Sequence, residues 1–243
     1  MHRQMSKRAV RRLLEELDSE GCAATVCISA QTLDARDCLQ KHLLPESEPY
    51  RSRAADALAD IGKSDTGIAV FLSPDRTVAI QPPFPLTVDV MAAGVAAKPI
   101  LDLLSSEPVV GVVLLRLGRY AVAVLSGNSL LATKTDTRYV KSRHRAGGSS
   151  QRRFERSRER LIREMYDTTC RMTRTVFEPF LRKMDYVMLG GERGTLNGFT
   201  KRCRLMQDLE PKTLSRLLPV DRPNQKALES ISYEMWKSRV TFL

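Results

Sequence analysis

VVGVVLLRLGRYAVAVLSGN, residues 109–128, places two valine- and leucine-rich runs on either side of Gly118-Arg119. β-Branched runs of this length meeting at a glycine predict a β-hairpin. SLLATKTDTRYVKS (129–142) alternates well enough to add a third strand. The period then changes. Phe154, Leu161, Met165, Met172, Val176 and Phe180 recur at helical spacings, so a long helix is expected from Arg152 to about Lys183. DYVMLGG (185–191) reads as a buried strand and is followed by a helix near 195–209. TLSRLLPVD (213–221) is expected to contain a last strand, and NQKALESISYEMWK (224–237) a final helix. Strands alternating with helices imply an α/β layer structure, a mixed sheet with packed helices.

The first hundred residues carry a separate pattern. Residues 7–17 read as a basic amphipathic helix, ATVCISA (24–30) as a strand, and 31–63 as polar helical sequence broken by Pro45 and Pro49. TGIAVFLSP (66–74) and TVAIQP (77–82) flank Pro74, Asp75 and Arg76 as another hairpin. A proline-rich bend and a leucine-rich helix, AAKPILDLLSSE (96–107), precede the restart at 109. The expected organisation is a smaller N-terminal α/β region, 1–106, and a second domain, 107–243. A chain of 243 residues has room for both.

Lys and Arg number 39 against 28 Asp and Glu, a net charge of +11. From Arg138 to Arg163 there are ten basic residues, opposed by Glu155 and Glu159 alone, so this window holds +8 of the total. Charge this concentrated points to a polyanion, with RNA or DNA ahead of an anionic membrane. The five cysteines (Cys22, Cys27, Cys38, Cys170, Cys203) are odd in number and show no C-x-x-C spacing. Reduced thiols in a cytoplasmic protein are therefore expected, with neither a zinc site nor a disulfide framework. The N-terminus lacks the apolar centre of a signal peptide and no run reaches about 18 apolar residues, so no membrane partner is expected.

Two glycine motifs fail on spacing. IGKSDTG (61–67) would need a glycine five residues before Gly62 to be a phosphate loop, and that position is Ala57. LGGERG (189–194) reads as a strand-to-helix turn. His2, His42 and His144 form no recognisable metal or nucleophile set. Cys203, in KRCRL, has cations beside it that lower a thiol pKa, but an ordinary helical cysteine is the simpler reading.

The chemistry gathers in YVKSRHRAGGSSQRRFERSRER (139–160). Gly147 and Gly148 allow the backbone to approach another molecule closely, and Ser149 and Ser150 add hydroxyls without bulk. The Gln151 amide donates and accepts hydrogen bonds and carries no charge. The basic residues around this GGSSQ tip are Arg138, Lys141, Arg143, His144, Arg145, Arg152, Arg153, Arg156, Arg158 and Arg160. An uncharged tip among cations suits a narrow, phosphate-lined site, where a glutamine positions water or orients a 2′-hydroxyl.

Lys141, Arg143, Gly147 and Gly148, followed by Arg153, Phe154, Arg156 and Arg158, resemble the middle domain of eukaryotic and archaeal class-1 peptide-chain release factors. GVVLLRLGRYAVAVLSGN (111–128), DYVMLGG and PVDRPNQKALESI (219–231) resemble its flanking strands and closing helix. GIAVFLSPDRTVAIQPPFPL (68–87) is similar in outline to the family's N-terminal region. That family's Gly-Gly-Gln loop enters the peptidyl transferase centre and promotes hydrolysis of the ester between peptide and tRNA. Aligned through Phe154, its glutamine falls on Ser149, and Gln151 lies two residues later. Either Gln151 reaches the same point from a rearranged loop, or the catalytic amide is lost. The relaxed loop and compact length are more similar to the Vms-type, release-factor-like branch.

That resemblance implies a peptidyl-tRNA hydrolase of ribosome-associated quality control, with residues 147–151 as its catalytic loop and the cations above holding RNA. It implies the large ribosomal subunit, its rRNA and peptidyl-tRNA as partners, and no metal or organic cofactor. Two alternatives stay open. One is cleavage of tRNA near its 3′ CCA end, assisted by Tyr139, His144 and Arg145; the other is a non-catalytic RNA-binding factor.

Overall fold

The computed structural model describes residues 2–34, 45–138, 140 and 149–243, with the backbone alone at Ser149 and Ser150. Two compact units divide the chain. Met1–Ser106 and Tyr233–Leu243 make the first, and Glu107–Ser232 the second.

The first unit is a six-stranded sheet in which all neighbours are antiparallel. Its strands are β1 (His2–Met5), β2 (Ala24–Ile28), β3 (Ile68–Leu72), β4 (Thr77–Gln81), β5 (Val90–Ala93) and β10 (Ser238–Phe242), in the order β1-β10-β4-β3-β2-β5. Every residue of β3 is buried, because alternate side chains serve opposite faces. Ala69 and Phe71 join Val10, Leu13, Leu14 and Leu17 of α1 (Lys7–Ser19) and Ile100 and Leu104 of α4 (Lys98–Ser105). Ile68, Val70 and Leu72 instead meet Ala54 and Ala57 of α3 (Tyr50–Ile61), whereas α2 is the short Ala30–Asp34 helix.

The second unit is built on the sequence restart. β6 (Val109–Arg116), β7 (Arg119–Ser126) and β8 (Ser129–Thr137) form an antiparallel meander, and β9 (Tyr186–Gly191) pairs parallel with β6, giving the order β8-β7-β6-β9. α5 (Ser149–Phe177) crosses one face, together with α6 (Arg193–Arg202) and α7 (Arg204–Asp208). Val113, Leu115, Tyr120, Val122 and Val124 pack there against Met165, Phe177, Leu196 and Phe199. Gly111 makes that packing possible: a Cβ on it would lie 2.7 Å from the Phe177 ring. The last helix is α8 (Gln225–Glu234). This mixed α/β architecture, with two sheets and packed helices, is the class expected from the sequence.

Four details depart from the sequence reading. Residues 233–243 do not stay with the second unit: Ser238–Phe242 is β10, paired with β4 and β1 of the first. α5 stops at Phe177 and a 3-10 turn, Glu178–Phe180, follows; Pro179 lacks the N–H that would continue the α-helical bonds. The strand expected in 213–221 is reduced to two bridges to β9, Thr213 to Val187 and Leu218 to Gly190. Five residue steps there span three steps of β9, so the segment between bows away. Cys170 and Cys203 are joined in a disulfide, with Cα atoms 5.5 Å apart, because α5 and α6 pack side by side. The expected free thiol at Cys203 is therefore absent, while Cys22 and Cys27 are free and buried.

Candidate nucleic-acid interface

The second unit carries the charge. Residues 107–232 hold 25 Lys and Arg against 13 Asp and Glu, whereas the first unit holds 14 against 15. Any attraction to a polyanion therefore acts chiefly on the second unit.

Both ends of the tip segment are anchored in this unit. On the strand side, the Arg138 N–H donates to the Gly118 carbonyl at 2.8 Å, its guanidinium lies 3.3 Å from Asp136, and the Val140 side chain packs against the core. On the other side the chain enters α5 at Ser149. Arginine and glutamate, both good helix formers, dominate the first half of this helix. Among residues 151–164 not one side chain is buried, and full burial begins at Met165. At 1.5 Å per residue, these residues form a stalk of about 20 Å, half-buried along Phe154, Ser157, Arg158, Leu161 and Ile162, ahead of the fully buried part of the helix.

The packed part is held firmly. The Thr169 and Thr173 hydroxyls donate to the carbonyls of Met165 and Thr169, both at 2.8 Å, so their burial leaves no unpaired polar group. Tyr166 lies against Gly198 and Phe199 of α6, and burial raises its phenol pKa. Arg202 grips Asp167 with two hydrogen bonds, 2.6 and 2.8 Å, which holds that carboxyl below its usual range. With the Cys170–Cys203 bridge, these contacts clamp α5 to α6.

On the stalk, Arg152, Arg153, Arg156 and Arg163 are exposed and have no ion pair or hydrogen bond among the described residues. Arg160 lies 3.7 Å from Glu164, and Arg158 is half-buried. Ser149, Ser150 and Gln151 are the first three helical residues. The Gln151 Nε2 donates to Glu155 Oε1 at 3.0 Å, which orients the amide and leaves its carbonyl oxygen to accept from elsewhere. Lys141, Arg143, His144, Arg145, Gly147 and Gly148, together with Tyr139, lie outside the described residues. The sequence reading missed Arg171, Arg174 and Arg202, the last brought to the other two by the α5–α6 clamp; Arg171 and Arg174 alone were findable, as a continuation of one helical stripe.

Residues outside this region offer little competing chemistry. Among the described residues no group of His, Cys, Asp or Glu is placed to hold a metal ion, and no helix is long and apolar enough to cross a membrane. His2 bonds Thr241 at 2.7 Å, and Cys27 is pushed up to about 12 by burial and by Asp89.

Residues 108–241 match the family model for the Actinobacteria/chloroflexi VLRF1 release factor. Peptide chain release factor subunit 1 of Archaeoglobus fulgidus is 30% identical over 116 residues, covering 48% of this chain and 28% of that protein. Its counterpart from Thermococcus sibiricus is 27% identical over 163 residues, 62% of this chain and 39% of that one. The chain thus spans well under half the length of these curated relatives. Among solved structures, the archaeal translation termination factor aRF1 is similar with a TM-score of 0.42 at 16% identity, over 96% of this chain and 73% of that one. The Vms1 mitochondrial localization core gives 0.39 at 14% identity, over 87% and 95%. The family model covers more than half of the chain and includes the α5 stalk, and the chain belongs to the VLRF1 release factor family.

Proposed function

We propose that this protein is a peptidyl-tRNA hydrolase that frees stalled nascent chains from tRNA on the large ribosomal subunit. The observation that carries this reading is the stalk: a cationic helix that starts within GGSSQ, at Ser149, and has no buried side chain from Gln151 to Glu164. Unpartnered guanidiniums neutralise phosphates along its length, and the uncharged tip goes where a charged side chain would be desolvated at high cost.

Water is the nucleophile in this mechanism. Its oxygen adds to the ester carbonyl carbon, the bond to the terminal ribose oxygen breaks, and that oxygen leaves with a proton. Gln151, its Nε2 tied to Glu155, offers its Oε1 as an acceptor that orients the water. The N–H groups opening α5 point toward the oxygen where negative charge develops, at the positive end of the helix dipole.

Gln151→Ala is the direct test. Removing one positioned polar group of this kind costs about 10²–10³ in rate. Peptide release should fall by that order while binding to large subunits stays within roughly twofold. Full release by the variant refutes the role given to Gln151.

A further inference from the structure

A groove of about 750 Å³ opens beside the packed half of α5. Arg138, Arg171, Arg174 and Arg202 line it, against Glu164 and Asp167. The two carboxylates are already committed, Asp167 to Arg202 in a two-point bond and Glu164 to Arg160 on the stalk. Arg171 is steadied by the Thr168 hydroxyl at 3.2 Å, which leaves most of its N–H groups unused. Arg174 is exposed and has no partner among the described residues. The groove therefore keeps uncompensated positive charge.

The charge is also preorganised. Arg171 follows Cys170 and Arg202 precedes Cys203, so the disulfide fixes the backbone beside both guanidiniums. A cation held in place loses less side-chain entropy when an anion arrives. The row also extends well beyond a single anion. From Arg152 to Arg174 the helix rises about 33 Å, with guanidiniums at Arg152, Arg153, Arg156, Arg163, Arg171 and Arg174 along it. A free phosphate needs one such point; a continuous nucleic-acid backbone matches the series.

We propose that this groove is a second RNA-backbone site, in which Arg171 and Arg174 each hold a phosphate some 30 Å along α5 from Gln151. It rests on the ribosomal reading above but needs no chemistry at Gln151. Its contribution is to docking and orientation, with phosphate contacts that carry no sequence information.

The test is binding of isolated large ribosomal subunits, and separately of deacylated tRNA, across a salt series. Each phosphate contact contributes about 0.7–0.9 to the slope of log affinity against log salt. For Arg171→Gln/Arg174→Gln that slope should be shallower by about 1.4–1.8 on at least one of the two probes. Arg222→Gln/Lys226→Gln removes the same charge from an exposed part of the same unit and should leave it nearly unchanged. Arg171→Lys/Arg174→Lys should restore most of the slope. An unchanged slope in the groove variant, an equal change in the Arg222/Lys226 control, or no binding of either probe by the parent protein overturns the proposal. Failure of peptide release with these slopes intact counts against the hydrolase reading alone.

Discussion

Glu159→Pro separates the stalk from the body it serves. Glu159 is exposed and pairs with no described residue, so the substitution acts through the backbone alone. Proline there removes the bond from residue 159 to the carbonyl of Glu155 and clashes with that carbonyl, at a cost of about 3 kcal/mol. Residues 149–158 would then be a helical end of ten residues, below the roughly 12–15 at which an isolated helix persists in water. No side chain from 151 to 164 is buried, so the cost can be relieved by letting that end unwind. Charged to the whole unit, 3 kcal/mol would lower Tm by about 10 °C at roughly 3–4 °C per kcal/mol. Confined to the stalk, it should lower Tm by no more than about 2 °C. Calorimetry of Glu159→Pro beside Glu159→Ala decides the matter, and far-UV circular dichroism should show a small loss of helix in the proline variant. Release activity should disappear with the proline and survive with the alanine. A fall in Tm near 10 °C would refute the stalk, because it would mean that these turns are packed into the core.

Three further outcomes follow from the packing. Gly111→Ala drives a methyl into the Phe177 ring and Met184, and should destabilise the second unit by about 1–3 kcal/mol in chemical denaturation. Thiol titration in denaturant should find two more thiols per chain after reduction than before, from the Cys170–Cys203 bridge; Cys22 and Cys27 should stay unreactive at pH 8 in the native protein because both are buried. Asp167 is held below its ordinary range by its bonds to Arg202, so its contribution is complete above the unfolded value of about 3.9 and is lost as pH falls through the lower folded value. Asp167→Asn should therefore be less stable than the parent above pH ~4, with the two curves converging under stronger acid.

The sequence announces the elements whose signal is local. The β6–β7 hairpin is legible because valine and leucine runs meet at a glycine, and α5 because its apolar positions keep a helical period over many turns. β1 and β10 escape because their evidence lies elsewhere. HRQM is polar, and SRVTF finds its partners in β4 and β1, at the far end of the chain. The disulfide escapes for the same reason: 33 residues separate Cys170 from Cys203, and only the packing of α5 on α6 brings them together. In the candidate site, the arginines of 152–160 stand out as a run. The groove does not, because Arg138 follows a strand, Arg171 and Arg174 lie far along a helix, and Arg202 closes another.

Ester hydrolysis is tested most directly by the fate of peptidyl-tRNA bound to isolated large ribosomal subunits. The protein would be added, the RNA run on a denaturing gel, and the peptide followed beside it. Freed peptide with full-length tRNA is the predicted result, the signature of ester hydrolysis. Freed peptide carrying a few tRNA nucleotides would contradict it in favour of backbone cleavage, and bound protein with no release would leave a docking factor in place of a hydrolase.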